Sequence, residues 1–190
     1  MKTNRCRGFE LLEIFGLPAP RFRKVRSVAD IQNLALHDVP FGWTIRTCRH
    51  DGLNEFSLFN KNYLSASEAK ATLLKRFSQL RSDEFYVVYE SWEFYISMNI
   101  AYEDMKYIIE GNYSSQESIS KGKGYADFTI FFPSRLLSSR DEERGFITDE
   151  CRQWITRIVG LTRRIQMDSF YVEVAVTKER RIVFYELWQL

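Results

Sequence analysis

The sequence predicts an α+β fold with largely antiparallel sheets and segregated helices, on three observations. Runs rich in β-branched and aromatic residues follow one another across short polar connectors, from Phe85 to Glu110 and again from Ser169 to Trp188. Helical stretches open on Ser or Thr caps at Ser27, Ser65 and Thr148. Aromatic residues make up 15% of the chain, with 15 Phe and 10 Tyr, which suits a β-rich core.

The elements follow in order. Thr3 or Asn4 caps a first helix whose apolar positions Phe9, Leu12 and Ile14 to Phe15 face inward, and Gly16 stops it. Leu17-Pro-Ala-Pro20 is extended, because each proline excludes helix for the residue before it. Ser27-Val-Ala-Asp30 reads as a capping box opening a short helix to about Leu36, and Pro40-Phe-Gly42 ends that unit. Trp43 to Arg49 and Glu55 to Asn60 read as strands around His50–Asn54. Ser65 or Ser67 caps a long helix to about Leu80, with Ala69, Leu73, Leu74 and Phe77 on one face. Strands are expected at Phe85–Glu90, Glu93–Ala101 and Met105–Glu110, the last two joined by a turn at Tyr102–Asp104. Gly111–Gly124 is a polar loop, Tyr125–Phe132 a strand, and Pro133–Phe146 irregular or a broken helix. Thr148 then caps a helix to about Leu161, and a hairpin closes the chain.

That hairpin carries the most informative residues. Ser169–Val176 and Arg181–Trp188 flank Thr177-Lys-Glu-Arg180, and each run holds one glutamate, Glu173 and Glu186. A two-residue or four-residue loop sets Glu173 opposite Phe184 and makes Glu186 its diagonal neighbour on the same face, roughly 7–8 Å away at the backbone. Phe170, Val172, Val174, Val183, Tyr185 and Leu187 then form the core face. Two carboxylates converging from one face suit a hard cation such as Mg²⁺, which takes one or two carboxylates plus phosphate oxygens. The plainer alternative is a solvated sheet face, where strands routinely place glutamate.

Composition bounds the rest. At 190 residues the chain is one domain, with room for two lobes. A net charge of +2 creates no global field for nucleic acid, although Lys2, Arg5, Arg7, Arg21, Arg23, Lys24 and Arg26 crowd the first segment. Cys6, Cys48 and Cys151 are odd in number with no CxxC, which argues against a disulfide framework and for a reducing cytoplasm. No run reaches the ~18 apolar residues of a membrane span. There is no P-loop and no nucleophile elbow, so most other enzyme chemistries lack their tools.

In the order of its segments the chain resembles the ATP-grasp superfamily over nearly its whole length. Gly8-Phe-Glu-Leu-Leu-Glu-Ile-Phe-Gly-Leu-Pro-Ala-Pro20, followed by Val25–Asp30, looks like a helix leading to the "G-L-P-x-P" opening. Trp43-Thr-Ile-Arg46 takes the place of the strand bringing a cation to the phosphates. Phe85–Phe94 is similar to the hinge between lobes, and Met105–Gly111 to the strand after it. The resemblance implies a single module over 1–190, with a lid lobe at 40–90, a metal-binding lobe at 91–190, and N-terminal helices at 1–39 packing on them. It implies ATP and Mg²⁺ held between two lobes, phosphoryl transfer to a small-molecule carboxylate, and capture by an amine or thiol. It also implies roles: Glu173 and Glu186 on the metal, Arg46 on phosphate, Glu90, Ser91 and Trp92 around adenine, Glu93 at the ribose, and Arg135 on the transferred phosphoryl group.

The chain departs from the family at four points. Trp188 stands where an asparagine often follows the last acid, and no glycine-rich loop surrounds Gly52. The domain that commonly precedes the grasp is missing, so a separate subunit is expected to supply it, and the chain stops at Leu190. Two other functions stay open: a non-catalytic nucleotide-binding or structural subunit, and, less favoured, an RNA- or protein-binding module using the basic N-terminal segment.

Overall fold

The structure, a computed structural model, describes residues 5–50, 58–113, 125–133 and 142–190. These form two compact units. One comprises Pro20–Glu93 with the N-terminal turns of helix α1 (Arg5–Ile14) through Phe9; the other comprises Glu10–Ala19 and Phe94–Leu190.

The Pro20–Glu93 unit is a four-stranded antiparallel sheet. Its strands are β1 (Phe22–Val25), β2 (Trp43–Arg49), β3 (Asn60–Leu64) and β4 (Glu84–Glu90), in the order β1-β4-β2-β3. Helices α2 (Val28–Asn33) and α3 (Ala66–Phe77) cover one face, burying Ile31, Ala69 and Leu73 against Trp43, Ile45, Tyr86 and Val88. Both helices start as the sequence predicts. Ser27 and Asp30 complete one capping box, Ser65 and Glu68 another, each satisfying amides that a helix start leaves orphaned. Leu74 departs from the expected face and is 53% exposed. β1 is an addition: Phe-Arg-Lys-Val shows no apolar run, yet Phe22 stacks on Phe9 at 5.2 Å and Val25 is fully buried. The expected strand from Glu55 falls partly outside the described residues, and β3 runs five residues from Asn60.

The second unit is a six-stranded antiparallel sheet. Its strands are β5 (Phe94–Glu103), β6 (Lys106–Asn112), β7 (Phe128–Pro133), β8 (Glu142–Gly145), β9 (Phe170–Thr177) and β10 (Ile182–Trp188), in the order β10-β9-β5-β6-β7-β8. The β5–β6 turn is tighter than expected: Glu103 pairs with Lys106, leaving Asp104 and Met105 at φ 50° and 61°. Those angles belong to the hairpin turn whose twist matches the strands, here built without glycine. β8 replaces part of the irregular stretch expected before Phe146, pairing with β7 from Phe131↔Glu142 to Phe128↔Gly145.

Alternation sorts the central strands into two faces. Ile96, Met98, Ile100, Val172, Val174, Val176 and Ile109 form a buried apolar face. Helix α4 (Asp149–Thr162), capped by Thr148, buries Cys151, Ile155, Ile158, Val159 and Thr162 at helical spacing, and the Thr162 hydroxyl meets that of Tyr107 on β6 at 3.2 Å. Ile14 at the end of α1, expected inside, is 66% exposed. No described helix is long and apolar enough to cross a membrane.

The three cysteines are buried thiols. Burial, with the charge of nearby Glu150 adding, pushes the Cys151 thiol from an ordinary value of 9.0 to about 11. Thiolate is the reactive form. A thiol reagent at pH 8 is therefore expected to label none of Cys6, Cys48 and Cys151 in the native chain and all of them in denaturant. The folded state keeps the Cys151 proton where the unfolded chain releases it, so this contribution to stability is lost as pH rises from about 9 to 11. Native-state labelling at the rate of free cysteine contradicts this.

Candidate functional site

Two irregularities set the face on which the glutamates meet. The hairpin loop has three residues, Lys178–Arg180, with Thr177 N donating to Arg181 O at 2.8 Å and Arg180 at φ 62°. This replaces the two- or four-residue loop expected from sequence. An odd loop shifts the register by one, and a shift of one sends a side chain to the other face. The ladder starts accordingly, as Ile182↔Val176, Val183↔Ala175 and Phe184↔Val174. A bulge at Tyr185 then restores the face, giving Glu186↔Glu173, Leu187↔Val172 and Trp188↔Tyr171. Glu173 and Glu186 are therefore direct cross-strand partners rather than diagonal ones. The same register moves Val183 onto the glutamate face, with Ala175, and puts Phe184 on the core face instead.

The row continues across the sheet. Glu173 is also the partner of Asn99 on β5, and Asn99 is the partner of Glu110 on β6. Glu186, Glu173, Asn99 and Glu110 thus share one face at strand spacing, about 4.8 Å per step. Glu186 is 1% exposed and Asn99 7% exposed, while Glu173 is half-buried. Ser97, next to Asn99 on this face, is 1% exposed. Among the described residues neither Asn99 Oδ1 nor Ser97 Oγ has a hydrogen-bond partner.

Tyr171 and Trp188 close the row on one side, their rings 5.4 Å apart. The Tyr171 hydroxyl donates to Glu173 Oε1 at 3.5 Å. Burial, and then the charges of Glu173, Glu186 and Glu110, hold that phenol well above its ordinary range. That hydroxyl therefore lies within reach of the charges of three carboxylates on this face. No cluster of three or more His, Cys, Asp or Glu able to cage a metal occurs among the described residues. A cation here would complete its shell with neutral oxygens, ligand oxygens or water.

The remaining sequence-named residues lie in the other unit or outside the described residues. Arg46 sits on β2 between Val87 of β4 and Asn60 of β3, on the sheet face away from α2 and α3. Its Nε is buried and has no hydrogen-bond partner among the described residues. Arg49, indistinguishable from it by sequence, pairs with Asp83 at 3.0 Å. Lys24 on β1 is also opposite Val87, so two cations share a row with one strand between them. Arg23 points to the opposite face, which splits the basic N-terminal segment.

Glu90 ends β4 opposite Trp43, and Ser91, Trp92 and Glu93 follow it. β1 pairs with β4 only as far as Tyr89, so beyond it the sheet flanks this stretch on the β2 side alone. The Ser91 hydroxyl meets Thr44 Oγ1 at 2.7 Å and accepts from Tyr63 N at 3.1 Å, while Ser91 N donates to Gly42 O at 2.8 Å. Its side chain fixes the backbone course of the stretch. Arg135 and residues 114–124 of the polar loop lie outside the described residues. A cavity of about 280 Å³ lined by Thr47, Phe59, Arg76 and Tyr86 opens on the other sheet face from Arg46 and contains none of the residues named from sequence.

Sequence reasoning missed Asn99, Ser97 and Tyr171. The signal was present in Ile96-Ser-Met-Asn-Ile100, where polar residues alternate with apolar ones and so share a face.

No protein-family model matches the sequence, and no curated protein matches it. Solved structures do. An ADP complex of N5-carboxyaminoimidazole ribonucleotide synthetase matches with a TM-score of 0.58 at 15% identity, over 98% of this chain and 45% of that one. The N5-carboxyaminoimidazole synthetase of Staphylococcus aureus, complexed with ADP, gives 0.57 at 12%, over 98% and 44%. The L-amino acid ligase of Bacillus licheniformis gives 0.53 at 13%, over 98% and 42%. The chain thus spans less than half the length of each. Across that span it has the α+β fold of the ATP-grasp enzymes.

Proposed function

We propose that this chain binds ATP with Mg²⁺ and serves in an ATP-dependent ligase or kinase acting on a small-molecule carboxylate. One observation carries the reading: Glu173 and Glu186 are directly opposed on one face, and Glu186 is almost wholly buried. Like charges placed opposite each other on a sheet are destabilising, and burial sharpens the penalty. A divalent cation removes it, and carboxylates with phosphate oxygens are the donor set Mg²⁺ prefers.

Bound ATP·Mg²⁺ supplies the phosphoryl donor and neutralises charge developing on the phosphates. The chain's own residues position and compensate. Glu173 and Glu186 hold the cation, and the Tyr171 hydroxyl, kept protonated, donates to Glu173 and fixes its orientation. In the other unit, we assign Arg46 to phosphate; its Nε is buried with no hydrogen-bond partner among the described residues. The stretch from Glu90 to Glu93 offers backbone to adenine, with Ser91 as its anchor, Trp92 as a wall and Glu93 for the ribose. Arg135 completes the proposal as the group on the transferred phosphoryl. Catalysis of this kind is positioning and electrostatics, which needs no protein nucleophile.

A second reading, nucleotide binding without turnover, is favoured by Trp188, a bulky indole beside the two acids. Calorimetric titration with ATP and Mg²⁺ tests the first step, and saturable one-to-one binding that EDTA abolishes is expected. ADP release on adding carboxylic acids and amines separates the two readings. Binding that EDTA leaves unchanged removes the first reading, and absence of any ATP binding removes both.

A further inference from the structure

We infer that Asn99 supplies a third, uncharged oxygen to the cation held by Glu173 and Glu186, so that the site is built from three adjacent strands. The inference rests on the cation reading of the two acids and extends it to a residue that no motif marked.

Asn99 is the direct partner of Glu173, and Glu186 is the partner of Glu173 on the other side. The three side chains therefore leave the sheet from one row on one face. Asn99 is 7% exposed, and its Oδ1 has no hydrogen-bond partner among the described residues. A buried acceptor left unmatched is expensive, and such groups persist where a ligand, ion or water satisfies them. Its strand neighbours Met98 and Ile100 are fully buried and apolar, so nothing about the strand itself calls for an amide.

Chemistry narrows what the amide serves. Mg²⁺ and Mn²⁺ take hard oxygen donors, and an asparagine carbonyl is one that adds no further repulsion to two carboxylates already opposed. The neighbouring polar side chain on β10 cannot play this part. Trp188 presents an indole N–H, which only donates. Tyr171 is committed as a donor to Glu173. Among the described residues, Ser97 Oγ on the same face is also uncommitted, but Ser97 is the partner of Ala175, whereas the Asn99 amide is the direct cross-strand partner of Glu173.

The test uses Mn²⁺ as the probe, with the loss of its free electron paramagnetic resonance signal read in the presence of a non-hydrolysable ATP analogue. Asn99→Leu, similar in shape but without oxygen, is expected to weaken Mn²⁺ binding about tenfold. Asn99→Asp keeps an oxygen and adds a charge; it is expected to bind Mn²⁺ at least as tightly as the wild type. Its melting temperature should fall below that of the wild type without cation and recover when Mn²⁺ and the analogue are added. A merely structural amide gives the opposite pattern, because a third buried carboxylate is then never compensated. Wild-type Mn²⁺ affinity in Asn99→Leu, alongside loss of binding in Glu173→Gln/Glu186→Gln, overturns the role of Asn99 and leaves the acids in place. Should Asn99→Leu fail to fold, Asn99→Asp decides: no recovery with Mn²⁺ overturns the inference. A wild-type chain that takes up no Mn²⁺ overturns it together with the reading beneath it.

Discussion

Replacing Glu173 and Glu186 together by glutamine is expected to abolish the Mg²⁺-dependent part of ATP affinity while making the cation-free protein more stable. The two effects have one cause. Glu186 faces Glu173 directly and is 1% exposed, so two acidic side chains are set against each other, one of them almost wholly out of water. Opposed like charges on a sheet cost up to about 1 kcal/mol, which for a chain of this size is about 2–4 °C in melting temperature. Glutamine keeps the shape and hydrogen-bonding oxygen but removes the charge. Cation affinity should fall by about 100-fold or more, because changing residues that merely support a metal ligand already costs about 10–100-fold. Parallel thermal melts and titrations check both halves. A variant that melts lower than the wild type, or that binds ATP·Mg²⁺ unchanged, contradicts the arrangement.

The second large effect concerns Gly42, at the start of β2. It lies at φ 70°, and an added Cβ would sit 2.4 Å from the Leu64 carbonyl oxygen and 2.9 Å from its carbon. Both are backbone atoms of β3, where Leu64 pairs with Trp43, so neither can swing aside. Left-handed backbone costs an L-residue roughly 1–2 kcal/mol, and overpacking adds about 1–3 kcal/mol. Gly42→Ala is thus expected to lose about 3 kcal/mol, about 6–12 °C. The damage should also reach the Glu90–Glu93 stretch, because Gly42 O accepts from Ser91 N. Gly160→Ala is the control. It sits in α4 with nothing within 4 Å of an added Cβ, and gains up to about 1 kcal/mol from helix propensity. Equal melting of Gly42→Ala and the wild type sinks the account of that turn.

Much of the fold was legible because local chemistry determined it. Ser27 and Asp30, Ser65 and Glu68, and Thr148 satisfy orphan amides a few residues away, and such short-range devices read directly from sequence. β2 ends where its β-branched and apolar run ends. The glutamates were legible as a pair, but their register was not. It depends on Arg180 in the left-handed region, a conformation that arginine does not advertise, and on a bulge at Tyr185. The bulge coincides with a tertiary contact, Phe184 N donating to Pro18 O at 2.8 Å, far along the chain. β1 was hidden because its partners are distant: Phe22 and Val25 earn their places from Phe9, Tyr86 and Tyr89. Ile14 and Leu74 matched apolar spacing yet lie outside, since periodicity names a stripe but not its width. Asn99 was missed because its meaning comes from the strand beside it.

A crystal structure with a non-hydrolysable ATP analogue and Mn²⁺, located by anomalous scattering, bears most directly on these residues. One strong peak is predicted within coordination distance of both Glu173 and Glu186, touching a phosphate oxygen of the analogue. Manganese bound elsewhere, or nucleotide bound with both glutamates unengaged, would contradict the assignment of this strand pair as a metal centre.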